Sequence, residues 1–483
     1  MQIMDKHILF TRTRIALATA TILALTACAG HIETTRPTVD MPQTWAEAAP
    51  GSAALQRDWW RGFGSVELSA LIDEAQQGNP DLIIAAERVT QAEITARSAG
   101  ASLFPLLTVS ANTGSGRVKS GEATIGGWAK SESSGASLQV SYEVDVWGRV
   151  AATVASANAS LDASRFDLES VRSTLTTGVA NAYFQTLALR TRLKIAQENL
   201  AISERIFRIV EARYRNGAAS ALDVSRQRST VLAQRATVLP LQVQERQTVS
   251  ALAILLGRSP QNLQLQAQGI DALTVPEVTP GLPSTLITRR PDLASAEALL
   301  SAADANVAAA RAALLPTISL SGAAGASSSA LLNLGSPTYS VGIAASIVQT
   351  LFDGNRLRLQ VQTTESTRRQ LVESYRSAIY TALKEVDDAL GNAYRNREQE
   401  RSQLAIRQEA QRALDLSQLR YREGVDDLST LLDAQRTLFT AEDTLAQQRL
   451  LRLTGTTDLF KALGGGWERT AATPPSSSEP TAQ

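Results

Sequence analysis

Sulfur and imidazole chemistry have almost no material in this chain, whose 483 residues include one cysteine, Cys28, and two histidines, His7 and His31. A Cys/His zinc site, a Cys-His nucleophile or a Ser-His-Asp triad would have to form around Cys28 and His31, three residues apart near the N-terminus. No catalytic centre, cofactor or metal site is therefore expected. The other residues placed to act are glycines and charges in two similar stretches. One is Tyr214-Arg215-x-Gly217-x-x-Ser220-x-x-Asp223, the other Tyr421-Arg422-x-Gly424-x-Asp426-Asp427. A glycine where a helix ends supplies left-handed backbone geometry. Adjacent carboxylates repel anions and pair with arginines, here Arg215, Arg420 or Arg422, although each exposed pair is weak. This is the chemistry of contacts and fields, with no bond to make or break. The 47 basic residues balance 47 acidic ones, so charge gives no case for a nucleic-acid partner.

The lone thiol has a use of its own. Lys6, Arg12 and Arg14 precede an apolar run from Ile15 to Ala27, the charged front and short greasy middle of a secretory signal, too short to span a bilayer. The run ends in Leu25-Thr26-Ala27-Cys28, the form of a bacterial lipobox, in which cleavage leaves the cysteine as an acylated N-terminus. Residues 1–27 are read as signal peptide and 28–64 as a lipidated segment; an ordinary signal with an incidental cysteine is the alternative. In the lipoprotein pattern that this segment resembles, an Asp after the cysteine favours inner-membrane retention; Ala29 stands there, so the resemblance implies delivery to the outer membrane.

The elements that must position the two charged stretches come from a duplicated plan. Asn79-Pro80-Asp81-Leu82 is echoed by Arg290-Pro291-Asp292-Leu293 at an offset of 211, and Tyr214-Arg215-Asn216-Gly217 by Tyr421-Arg422-Glu423-Gly424 at an offset of 207. The copies are assigned to 65–257 and 284–463, joined by a proline-bearing linker, 258–283, and followed by a disordered tail, 464–483. Pro80 and Pro291 suit the first turn of a helix, with Asn79 as cap. Long helices are predicted over about 149–213 and 354–421, the first reaching on the order of 95 Å, with tips at 214–220 and 422–428 and return helices beyond. Leu193, Leu200, Phe207 and Tyr214 fall seven apart, as do Ala196, Ser203 and Val210, and Ile195, Ile202 and Ile209. Two seams on one helix call for a neighbour on each side. Strands are predicted over about 103–113, 135–146, 315–325 and 338–349, alternating apolar with small or polar residues, with loops 114–134 and 325–337 between them. The fold class is mainly α with a small β part. Four such strands cannot close a membrane barrel alone, so several chains must share one.

Trp59-Trp60 with Phe63, the Asn-Pro-Asp-Leu opening, Leu103-Phe104-Pro105, Val144-Asp145-Val146-Trp147-Gly148-Arg149, Leu351-Phe352-Asp353-Gly354 and the paired tips together resemble the TolC-type outer membrane factor family, in its lipoprotein branch serving multidrug efflux. The resemblance covers nearly all of the mature chain. The first tip fits the family pattern fully; the second departs from it, with Asp427 and Thr430 where the first has Ser220 and Asp223. The resemblance implies a homotrimer with a twelve-stranded barrel in the outer membrane of a Gram-negative bacterium, continuous with a twelve-helix periplasmic tunnel. It implies a passive exit duct whose partners are a periplasmic membrane fusion protein, an inner-membrane RND-type pump and outer-membrane lipid. Arg215, Gly217, Ser220, Asp223, Arg422 and Gly424 then become tip and adaptor contacts, and Tyr214, Tyr421, Asp426 and Asp427 gate residues. The bland readings are that the glycines only cap helices and the charges only solvate a turn. Trp147 and Trp128 are either interfacial anchors or, for Trp147, packing where strand meets helix. Competing functions are the duct of a protein-secretion or metal-efflux system, a periplasmic coiled-coil structural lipoprotein, and a secreted helical enzyme.

Overall fold

The computed structural model describes residues 36–46, 56–119, 128–278, 280–332 and 334–469. Cys28, His31 and the signal segment lie outside the described residues, as does the tail beyond Arg469. A single tight turn, Trp59–Phe63, leads into α1 (Val66–Gly78), α2 (Pro80–Ala101), β1 (Leu106–Val118), β2 (Ala129–Val144), α3 (Arg149–Arg215) and α4 (Ala221–Leu255). The second copy follows as a four-residue α5 (Leu286–Arg289), α6 (Pro291–Ala312), β3 (Thr317–Ser328), β4 (Thr338–Val348), α7 (Arg356–Arg422) and α8 (Leu428–Ala462). The copies match in length: α3 and α7 have 67 residues each, α4 and α8 have 35. The fold is mostly helical with one small antiparallel sheet. No helix among the described residues is long and apolar enough to cross a membrane.

Local chemistry sets the helix ends. Pro80 and Pro291 open their helices, and Asn79 Oδ1 accepts from Leu82 N at 3.0 Å. The Asp145 carboxylate takes Val150 N at 3.0 Å and Ala151 N at 2.7 Å, and Asp353 takes Leu357 N at 3.0 Å, so both long helices begin on an aspartate. Pro240 stands inside α4, where its missing N–H interrupts the ladder without ending the helix.

The chain divides into two compact units. The first, comprising 89–164 and 296–375 with a short N-terminal piece, holds the sheet, in the order β1-β2-β3-β4. Its register decides its character. Leu107 faces Val140, Val109 faces Leu138, Tyr142 faces Leu320, Val144 faces Ile318, and Ile318 and Leu320 face Ile347 and Ala345, so the apolar lines of all four strands fall on one side. Val341 and Ile343 on that side are 84% and 90% exposed. The opposite side carries Ser110, Ser137, Gln139, Ser141, Ser319 and Ser346, with hydroxyl bonds Ser110 to Ser137 at 2.8 Å and Ser319 to Ser346 at 2.7 Å. The strands extend into segments read as loops: 114–118, 129–134 and 325–328 are all paired. Glycine and serine there obscure the alternation, but ladder bonds belong to the backbone and do not need apolar side chains. Trp147 Nε1 donates to Pro316 O at 2.7 Å, so this ring packs where strand meets helix; Trp128 is exposed.

The second unit, comprising 39–88, 165–295 and 376–483, closes on an aromatic core in which Trp59 stacks on Phe460 at 4.9 Å and Phe63 meets Phe184 at 4.9 Å. The duplication survives in its contacts. Asn79 Nδ2 donates to Leu255 O at 2.9 Å, and the equivalent Arg290 Nη1 donates to Ala462 O at 3.1 Å. Gly257 (φ +71°) lies on Gly78 O and Gly464 (φ +96°) on Arg289 O, each so close that a Cβ would overlap the carbonyl. The linker is held down. Glu67 accepts from Gln266 N at 2.6 Å, Ala267 N at 3.1 Å and the Tyr183 hydroxyl at 3.0 Å, and burial pushes the Tyr183 pKa up to about 12. The tail expected from Gly464 does not begin as disorder: Trp467 sits edge-on to Phe166 at 5.7 Å and Arg469 lies over the same ring at 5.3 Å. The reason is sequence-local, since Gly464–Gly466 all adopt positive φ and turn the chain back onto this unit.

Candidate functional site: the paired helical tips

Helices α3 and α4 form one hairpin and α7 and α8 a second, and their turns carry the residues singled out by sequence. At the first tip, Gly217 takes φ +72°, and Ala218 N bonds Arg213 O at 2.8 Å, closing α3. Ser220 caps α4 in a reciprocal box: Asp223 N donates to Ser220 Oγ at 3.1 Å and Ser220 N to Asp223 Oδ2 at 2.9 Å. The Ser220 backbone N–H, and then its hydroxyl, hold the Asp223 carboxyl below its ordinary range. Arg215 pairs along its own helix with Glu211 at 3.1 Å, away from the aspartates of the second tip.

The second tip repeats the geometry with other side chains. Gly424 takes φ +74° and Val425 N bonds Arg420 O at 2.9 Å. Asp427 stands in Ser220's place as the cap of α8, accepting Thr430 N at 2.9 Å, the Thr430 hydroxyl at 2.9 Å and the Ser429 hydroxyl at 2.8 Å. The departure from the pattern therefore keeps the cap while exchanging its donor. Those bonds, led by Thr430 N–H, lower the Asp427 pKa. Asp426 has a different partner: Arg420 grips it in a two-point bond, both arms at 2.8 Å, and the guanidinium lowers its pKa. Of the three arginines considered for these aspartates, Arg420 alone is their bonded partner here; Arg422 is exposed.

The two tyrosines separate. Tyr214 is half exposed, whereas Tyr421 is buried among Ile206, Val210, Leu414, Leu428 and Leu431, and burial raises its pKa. Tyr421 is tied to the first hairpin by Arg213, a residue the sequence reading missed. Arg213 Nη1 donates to Tyr421 O at 3.0 Å, and its guanidinium lies 4.7 Å from the centre of the Tyr421 ring. The signal was in the repeat: at the offset of 207, Arg213 matches Arg420 but Ala219 matches Asp426, so the first tip has the arginine without its carboxylate. Lacking that partner, Arg213 reaches across. Among the described residues no cluster at this site could hold a metal ion.

Comparison with known proteins agrees with this architecture. The chain is 40% identical over 437 residues to the pyoverdine export outer membrane protein OpmQ of Pseudomonas aeruginosa, covering 88% of this chain and 91% of that one. It is 34% identical over 422 residues to the probable efflux pump outer membrane protein TtgC of Pseudomonas putida, covering 86% of each. The solved outer-membrane channel OprN superposes with a TM-score of 0.80 at 28% identity, covering 90% of this chain and all of that one. The family model described as outer membrane efflux protein matches twice, over residues 71–258 and 282–465, one match per copy. With the duplicated hairpins, the four-stranded sheet and both family matches in agreement, the chain belongs to the outer membrane efflux protein family.

Proposed function

We propose that this protein is the outer-membrane exit duct of a tripartite efflux system, a passive conduit for small solutes delivered by a periplasmic fusion protein and an inner-membrane pump. The observation that carries it is the sheet. One side is apolar and exposed, the other is lined with serine hydroxyls, and β1 and β4 are its outer strands. Exposed apolar surface of this extent belongs against lipid or protein. Three copies, edge to edge, would give a closed twelve-stranded wall, apolar outside and polar within. Cys28 adds an acyl anchor, and the helical hairpins extend into the periplasm.

The tips are the inner mouth in this reading. Exposed Arg215, Gly217, Arg422 and Gly424, with the capping pairs behind them, form the surface offered to the fusion protein. Asp426 and Asp427, repeated by symmetry, make a negative ring, and Arg213 with Tyr421 ties one hairpin to the other. The name of the OpmQ relative supports solutes of the pyoverdine kind as one cargo class, beside drug-like solutes. Trp fluorescence in brominated lipid tests the sheet: Ile343→Trp should be quenched and Ala344→Trp, one residue along the strand, should not. Equal quenching at both positions would contradict the assigned wall.

A further inference from the structure

Charge is sorted to one side of the sheet. The register that sets Val109 opposite Leu138 continues outward, pairing Ser115 with Glu132 and Arg117 with Lys130. Steps of two residues keep a side chain on the same side, so Arg117, Lys130 and Glu132 stand on the side that bears the exposed apolar residues. The opposite side of that stretch holds Asn112, Gly114, Gly116, Ser131 and Ser133, none of them charged. A strand end that only meets water has no reason to place its charges on one side. Arg117, Lys119 and Lys130 are exposed, and Glu132 pairs with Lys130. Arg117 and Lys130 face each other directly, where like charges destabilise a strand pair unless an anion comes between them. With Lys119 just past the end of β1, three cations stand against one carboxylate among the described residues there.

Height decides which anion fits. The outermost apolar row runs through Ala111, Ala136, Ala326 and Tyr339, and Tyr339 is 76% exposed. Lys130 lies farther along β2 by about 20 Å at about 3.4 Å per residue, or about 15 Å of height on a strand tilted by about 40°. The polar zone of a phospholipid adds only about 5 to 8 Å to each side of the hydrocarbon. A phosphate at the level of Lys130 must therefore be carried on a taller headgroup. This end of the sheet is the one remote from the helices, since α2 leads into β1 and β2 leads into α3. We propose that Arg117, Lys119 and Lys130 bind the phosphates of a phosphorylated glycolipid in the outer leaflet, whose sugar-borne charges stand high enough to reach them. The inference rests on the exit-duct reading, which puts this side of the sheet in lipid. A phosphate between Arg117 and Lys130 removes their repulsion, the guanidinium giving a two-point bond to its oxygens and the ammonium a point charge.

The test measures binding of lipopolysaccharide with a phosphorylated inner core to the full-length protein in neutral detergent. Arg117→Gln with Lys130→Gln should weaken binding about twenty-five-fold, about fivefold for each charge removed. Glu132→Gln should tighten it about fivefold, a change in the opposite direction that loss of packing does not produce. Ser131→Lys adds a cation on the other side of β2 and should leave affinity unchanged. The same lipid stripped of its core phosphates should bind wild type no better than the intact lipid binds the double variant. Equal affinity of wild type and double variant would overturn the site. Displacement of the lipid by inorganic phosphate would reassign the cations to a free anion, and equally tight binding of phosphatidylglycerol vesicles would reassign them to any anionic lipid; either result overturns the glycolipid. The wall is judged apart from the site. A double variant without effect, while Ile343→Trp is still quenched by brominated lipid, would refute the site alone, whereas equal quenching at 343 and 344 would remove the wall and the site with it.

Discussion

Two adjacent aspartates at the second tip illustrate how differently the same side chain is used. Asp426 neutralises Arg420, while Asp427 starts α8, so a paired alanine substitution would mix the loss of a charge with the loss of a cap. Asparagine separates them, because it keeps the cap of Asp427 while discharging it. Asp426→Asn should raise single-channel conductance and lower cation preference; Asp427→Asn should lower cation preference only. Equal conductance in Asp426→Asn and wild type would return this aspartate to a solvated turn. Both carboxyls have pKa values below the usual range in the folded protein. Their stabilising contribution is therefore present above the unfolded value and lost only as pH falls through the lower, folded one, so channel behaviour should not vary from about pH 5 to about pH 8 on their account. At the other end of the chain, Cys28→Ser should abolish incorporation of labelled fatty acid, and wild-type protein that takes up no label would remove the lipobox reading.

Glycines at the ends of elements divide by what surrounds them. Gly217 and Gly257 have nearly the same φ, +72° and +71°, but nothing lies near a Cβ at Gly217, while at Gly257 it would strike the Gly78 carbonyl. Gly217→Ala should cost about 1 kcal/mol, the conformational penalty alone. Gly257→Ala and Gly464→Ala should each cost more, about 2 to 4 kcal/mol, because backbone must also shift. Thermal unfolding of the three variants ranks them, and an equal loss in all three would contradict the close approach. Much at this scale was legible beforehand. Proline placement marked α2 and α6, and the proline-free stretches marked α3 and α7 to within a few residues. The rest was hidden for physical reasons. Strand ends dissolved into glycine and serine, whose side chains carry no alternation although their backbones pair. Asp427 as a cap looked like a departure because sequence compares side chains, whereas an N-cap needs only an oxygen at the right place. Arg213 and Gln435 find partners 208 and 232 residues away, a distance at which local pattern says nothing.

Across the whole molecule, duplication and symmetry do the work that a single larger domain would otherwise do. Each copy supplies one helical hairpin and one strand pair, the two pairs join into one sheet, and the sheet still has two outer strands. Assembly of three chains is the expected completion, so detergent-extracted protein should show three times the chain mass of 51.6 kDa once detergent is subtracted. A stable monomer in that experiment would refute the shared barrel. The central claim, that the assembled protein is a conduit, is tested most directly by reconstituting the purified wild-type protein in planar bilayers and recording single channels. Discrete, cation-preferring openings are expected, small or infrequent while the hairpins are tied and larger when the Arg213–Tyr421 pair that joins them is broken. Correctly assembled protein that inserts in the bilayer yet carries no current, with the pair intact or broken, would contradict it.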